Sequence, residues 1–231
     1  MMQATRPSLA TRLLAVVALA FALSALGMAP FEAAAYAKSP YKKASKKQLR
    51  KFNSGYRVTP GTWQPLRNRK RSSKRAKKYF IEFRARTALS YGHTSVITGK
   101  LRNGKIPKRN GRLIKGTYRI AGLAPKSDSP TVYMLGHLVP LPASTGWTDG
   151  DDEDAYQTAS FMIPLTYAEY KQVNKLIERR KRNSKFWNAA VYACVHFTAD
   201  IAKDIGLRVP RGFKLPKSWV NGLKAVNRGR I

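Results

Sequence analysis

The sequence predicts an α+β domain, an antiparallel sheet of about five to six strands packed against helices. Three observations predict it. Short β-rich segments separated by turn residues follow one another from Tyr79 to Leu165. Asn110-Gly111, between Ile106 and Leu113-Ile114, is a strong hairpin signal, because a two-residue turn of this kind needs positive φ at both positions. Helical periodicity sets in only after the last of these strands, and strands followed by helices is the order of an α+β domain.

Taken in order, residues 79–87 alternate as a strand, with Phe80, Ile81 and Phe83 as candidates for burial. Residues 91–99 follow as a strand rich in β-branched side chains, and further strands are expected over 116–123, 131–141 and 155–165. Thr166-Tyr167-Ala168-Glu169 is a capping box, in which the threonine hydroxyl accepts from the third helical amide and the glutamate reaches back to the threonine amide. The helix it opens carries Tyr167, Tyr170, Val173, Leu176 and Ile177 on one stripe and ends in a basic run that suits the negative end of its dipole. A second helix starts at Cys194, with Phe197, Ile201, Ala202 and Ile205 facing inward. Gly206 stops it and Pro210 prevents a restart. Residues 209–231, with Pro210 and Pro216, read as an irregular segment that packs back on the domain.

Two zones of different character precede this domain, which is expected to occupy residues 79–231. Residues 1–37 read as an export signal: Arg6 and Arg12, an apolar run from Leu13 to Met28, then Ala35-Tyr36-Ala37 as a small-x-small cleavage site. The apolar run is short against the ~20 residues of a membrane span, and an uncleaved anchor is the alternative. The expected location is therefore periplasmic or secreted. Residues 38–78 hold 16 lysines and arginines and no acid, the composition of an extended, solvated arm.

The whole chain carries 44 basic against 12 acidic residues, a formal net charge of +32 that attracts polyanions of any kind. Behind an export signal, an anionic envelope surface is the favoured partner of residues 38–78. Nucleic acid, held by phosphate pairing and by stacking on Tyr41, Phe52, Tyr56 and Trp63, is the weaker reading, and a merely solubilising tail stands beside both. Five of the twelve acids fall within residues 149–154. The EF-hand pattern fails there, since Gly150 comes second and the sixth position is not glycine, so a surface turn answering the basic charge is expected. No cofactor and no metal are called for.

The chemistry-bearing residues are few. Cys194 is the only cysteine, so no intrachain disulfide can form. At a helix N-terminus its thiolate is favoured by the dipole, which makes it a candidate nucleophile; a small hydrophobe filling the core is the plain alternative. A thiol nucleophile needs a base within reach and a polar group to orient that base. His196 is two residues on and points about 200° away on a helix, toward Asp200 and Asp204, so it reads as a surface residue. His93 and His137 each follow a glycine in an expected strand. Either could face the cysteine helix, or be a structural histidine.

A strand-borne histidine in Gly92-His93-Thr94-Ser95-Val96-Ile97, several strands, and a helix opening with Ala193-Cys194-Val195-His196-Phe197 resemble the circularly permuted papain-like proteins. These are relatives of the NlpC-type cell-wall peptidases and include the lecithin:retinol acyltransferase group. Gly136-His137-Leu138-Val139-Pro140, the Thr145-Gly146-Trp147 to Asp151 turn and the stretch from Cys194 to Pro210 are also similar to uncharacterised exported bacterial proteins, so that the likeness spans roughly residues 79–225. The resemblance implies Cys194 as nucleophile and His93 as general base, with His137 the best candidate to orient the base. The family motif has asparagine before the cysteine; Ala193 stands there instead and removes a helix-start hydrogen bond. What the resemblance implies is a thiol hydrolase or acyltransferase acting on peptidoglycan peptide or acyl lipid. The rival is an envelope protein that binds anionic polymers or lipids without chemistry.

Overall fold

The computed structural model describes residues 64–67, 77–88, 91–127, 129–212 and 214–231. The expected signal over 1–37 lies outside the described residues, as does most of the basic segment 38–78. The strands are β1 (Tyr79–Arg86), β2 (His93–Lys100), β3 (Lys108–Arg109), β4 (Arg112–Leu113), β5 (Tyr118–Gly122), β6 (Ala124–Pro125), β7 (Leu141–Ser144), β8 (Gln157–Leu165) and β9 (Phe186–Trp187). The helices are α1 (Pro130–Leu135), α2 (Tyr167–Asn183), α3 (Cys194–Asp204) and α4 (Pro216–Asn227).

The fold is α+β. Its main sheet has four antiparallel strands in the order β5-β2-β1-β8. The expected count was higher because residues 131–141 do not form a strand. Pro130 opens α1, a turn follows, and only from Leu141 does the chain extend, as β7 between β6 and β9 in a small separate ribbon. Thr131, Val132 and Tyr133 favour strands, but Pro130 suits the first helical turn, where its missing N–H removes no bond.

The sheet separates two layers. Ile81, Phe83 and Ala85 of β1, alternating as a strand requires, join Val96, Ile163 and Leu165 on the face covered by the helices. On the opposite face Phe80, Ile97, Leu101 and Leu113 form a smaller cluster. Leu113 belongs to the β3–β4 hairpin, whose turn residues Asn110 and Gly111 take φ of 50° and 73°, as expected of Asn-Gly.

Helix α2 begins with the expected capping box: Glu169 N–H donates to Thr166 Oγ1, and Thr166 N–H donates to Glu169 Oε2 at 2.7 Å. The C-terminal segment is not irregular. It contains α4, which places Pro216 in its first turn and packs Trp219, Val220 and Leu223 against β8 and β1. The folded unit also reaches further back than residue 79. Leu66 is buried in the main core and its N–H donates to Ile205 O at 2.9 Å, so residues 64–67 dock on the C-terminal end of α3.

Candidate active site

β2 begins with His93, and the residue before it must be glycine. Gly92 has φ of +81°, and a Cβ there would stand 2.9 Å from the carbonyl oxygen of Arg86. A second glycine gives the imidazole its room: a Cβ on Gly122, in the neighbouring strand β5, would lie 2.8 Å from His93 Nε2. α3 packs against β2, which brings its first residue, Cys194, to the start of that strand. The helix starts at Cys194, and its N-cap is Ala193, which has no side-chain oxygen to offer. His196 takes over part of that work: its Nδ1 accepts from the Ala193 N–H at 3.2 Å. His196 is therefore no free surface group aligned with Asp200 and Asp204. It is half-buried, caps the cysteine helix, and stacks on Tyr192 with ring centroids 6.0 Å apart.

Cys194 and His93 are both 7% exposed. They are coupled electrostatically and line one cavity. Burial pushes the thiol pKa up, but the charge of His93, its hydrogen bond, and hydrogen bonds from the Thr94 amide and hydroxyl bring it below the ordinary value. Burial likewise pulls His93 down, and the negative charge of Cys194, with a smaller contribution from Asp151, carries it above the ordinary value. Opposite shifts of this sign favour a thiolate–imidazolium pair. Thr94 is fully buried beside them. Its hydroxyl lies 3.2 Å from that of Thr198, which donates to Cys194 O at 3.0 Å.

A carboxylate also faces the imidazole, that of Asp151. Its Oδ1 lies 3.9 Å from His93 Nε2, which has no hydrogen-bond partner. This is a distance of charge attraction rather than of a formed hydrogen bond. The carboxylate is itself fixed: Arg86 Nε donates to Oδ1 at 2.7 Å, and the Thr148 amide and hydroxyl donate to Oδ2 at 2.9 Å each. The acid-rich stretch is thus not a plain surface turn. Asp151 and Asp152 are buried, Trp147 Nε1 donates to Asp152 at 3.0 Å, and Asp154 and Glu153 pair with Lys108 and Arg112. Among the described residues, no three histidine, cysteine or acidic side chains group so as to hold a metal ion.

His137, expected in a strand as the group that orients the base, makes its hydrogen-bond contact with Tyr133 O instead, through Nδ1 at 3.1 Å. It is exposed in the turn after α1, and its ring meets the edge of Tyr91. It does line the same cavity as Cys194 and His93. That cavity has a volume of about 680 Å³ and an apolar wall that includes Tyr133, Trp187, Val195 and Leu215, with Arg86 and Lys214 as its cations. A thiol and an imidazole on the wall of such a cavity, with a carboxylate behind the imidazole at 3.9 Å, can carry out nucleophilic attack and proton transfer on a bound carbonyl. Comparison with protein-family models, with curated proteins and with solved structures finds no match to this chain.

Proposed function

We propose that the protein is an exported thiol-dependent hydrolase or acyltransferase of the circularly permuted papain-like type, acting on an amide or ester of a cell-envelope substrate, peptidoglycan peptide or acyl lipid. The observation that carries the reading is that Cys194, at the start of α3, and His93, at the start of β2, line one apolar cavity, with Asp151 Oδ1 3.9 Å from His93 Nε2; the lowered thiol and raised imidazole pKa agree with it. A merely core-filling cysteine is raised by burial; here that effect is outweighed. The segments around His93 and Cys194 that resemble the family supply the same two residues.

In this reading the Cys194 thiolate attacks the carbonyl carbon. The new C–S bond forms as the π electrons move to oxygen, and His93, protonated, gives its proton to the leaving nitrogen or oxygen as that bond breaks. The acyl-enzyme is then attacked by water or by an acceptor nucleophile, which returns a proton to His93 as the thiolate departs. Asp151 keeps the imidazolium oriented and charged from the Nε2 side, which leaves Nδ1 for the proton exchanged with sulfur. The N–H groups at the start of α3 have no acceptor inside the helix and in this reading would hold the oxyanion. The basic residues of 38–78 would hold the enzyme on an anionic envelope surface; the support for this is their charge.

Para-nitrophenyl butyrate tests the chemistry without knowledge of the natural substrate. Turnover that disappears in Cys194→Ala and falls by at least about 10²-fold in His93→Ala is expected, in the range of general acid–base catalysis. Equal turnover in Cys194→Ala would refute the proposal.

A further inference from the structure

The cavity holds one more polar group whose position the chemistry so far leaves unused. Tyr91 lines it together with Cys194 and His93. Its hydroxyl is buried and has no hydrogen-bond partner among the described residues. Buried hydroxyls in folded proteins are nearly always paired, so an unpaired one on a cavity wall marks a donor whose partner is a ligand. The ring is fixed in place: Tyr91 precedes the positive-φ Gly92 that leads into β2, and it meets His137 edge-on, with centroids 6.2 Å apart.

We propose that the Tyr91 hydroxyl is a catalytic residue of this site, donating a hydrogen bond to the oxyanion that forms when Cys194 attacks a carbonyl. The inference rests on the thiol-enzyme reading above. In the step concerned the sulfur–carbon bond forms and the carbonyl π pair becomes a lone pair on oxygen. Tyr91 lends its O–H to that oxygen and keeps the proton throughout. Burial, and then the negative charge of Cys194, raise the hydroxyl above its ordinary pKa, which favours the neutral, donating form beside the thiolate. Together with an N–H from the start of α3, it supplies the second of two donors, the usual makeup of an oxyanion hole. Of the neighbouring polar groups, Arg86 is committed to Asp151, and His93 is the partner of the thiol in this reading.

Tyr91→Phe removes the donor and keeps the ring. On para-nitrophenyl butyrate the expected result is a kcat lower by roughly 10²-fold with KM changed less than about threefold, as for loss of one oxyanion donor. Alkylation of Cys194 by iodoacetamide, a displacement that develops no oxyanion, keeps its wild-type rate. A readout independent of turnover is protection of Cys194 from iodoacetamide by hydrocinnamaldehyde, which forms a tetrahedral hemithioacetal with a thiol. Tyr91→Phe should need about tenfold more aldehyde for the same protection. An unchanged kcat or unchanged aldehyde protection overturns the proposal, as does alkylation slowed in step with kcat, which would place Tyr91 on the thiol instead. Turnover that persists in Cys194→Ala would fail the enzyme reading itself, and so is told apart from failure of Tyr91.

Discussion

Oδ1 of Asp151 lies 3.9 Å from Nε2 of His93 and 2.7 Å from Nε of Arg86, so one carboxylate oxygen faces both the imidazole beside the thiol and a fixed guanidinium. The carboxylate and the guanidinium act on His93 in opposite senses. Asp151 raises its pKa and Arg86 lowers it. The carboxylate holds its place through Arg86 and Thr148 whether or not His93 is charged, which makes it a pre-positioned partner for an imidazolium.

Asp151→Asn keeps the shape and removes the charge. Loss of the carboxylate lowers the His93 pKa, and a less charged imidazole in turn stabilises the thiolate less. Esterase turnover is expected to fall by about tenfold or more, with the pH midpoint of Cys194 alkylation moving upward. A structural role alone would lower stability and leave that midpoint where it is.

Thr94 makes a narrower test of the thiol environment. Its hydroxyl and amide both hydrogen-bond toward the sulfur and lower its pKa. Thr94→Val removes only the hydroxyl at nearly constant volume, while Thr198 keeps its bonds to Cys194 O and Val195 O. Alkylation at neutral pH should slow several-fold and recover at alkaline pH, because the thiolate is harder to form but no less reactive once formed. Measured rates from pH 6 to 10 check this.

A third prediction concerns the frame around α3. Arg180 of α2, buried, donates to Asp204 Oδ2 at 3.1 Å through Nε and at 2.6 Å through Nη2, and to Asp200 at 3.4 Å. Burial pushes Asp204 up to about 6, against the pull of Arg180. Arg180→Met leaves the carboxylate buried without that partner, at a cost of about 3–5 kcal/mol. The sign of the pH dependence follows. With Arg180 gone the folded-state pKa rises further, the folded protein binds more protons than the unfolded chain above pH ~4, and the variant loses stability as pH rises through that window. Urea unfolding at pH 5 and pH 8 should show the larger deficit at pH 8.

The parts of the molecule legible in the sequence are those fixed by neighbours in the chain. Thr166 and Glu169 announce a capping box within one turn, and Asn110-Gly111 announces a hairpin within two residues, because the bonds and dihedrals involved are local. Gly92-His93 and Cys194 were readable for a similar reason: a glycine before a strand and a thiol at a helix start leave short signatures. α4 was hidden by Pro216, which reads as a breaker but sits in the first helical turn; Trp219, Val220 and Leu223 carried the periodic signal that could have revealed it. The role of Asp151 was not readable, since it depends on the loop over 149–154 folding onto Arg84 and Arg86 of β1, some 65 residues away. His137 drew attention through its glycine, yet in the turn after α1 its Nδ1 meets Tyr133 O, while the carboxylate of Asp151 faces the His93 imidazole.

The rate of Cys194 alkylation by iodoacetamide as a function of pH, in the wild type and in His93→Ala, tests the activated thiol most directly. Burial acts on the thiol in both proteins, but only the wild type has the imidazolium that opposes it. The predicted midpoint lies below the ordinary 9.0 of a free thiol in the wild type and moves upward in His93→Ala, where only Thr94 remains to oppose burial. Coincident profiles for the two proteins, both with midpoints at or above 9.0, would contradict a Cys194–His93 nucleophile.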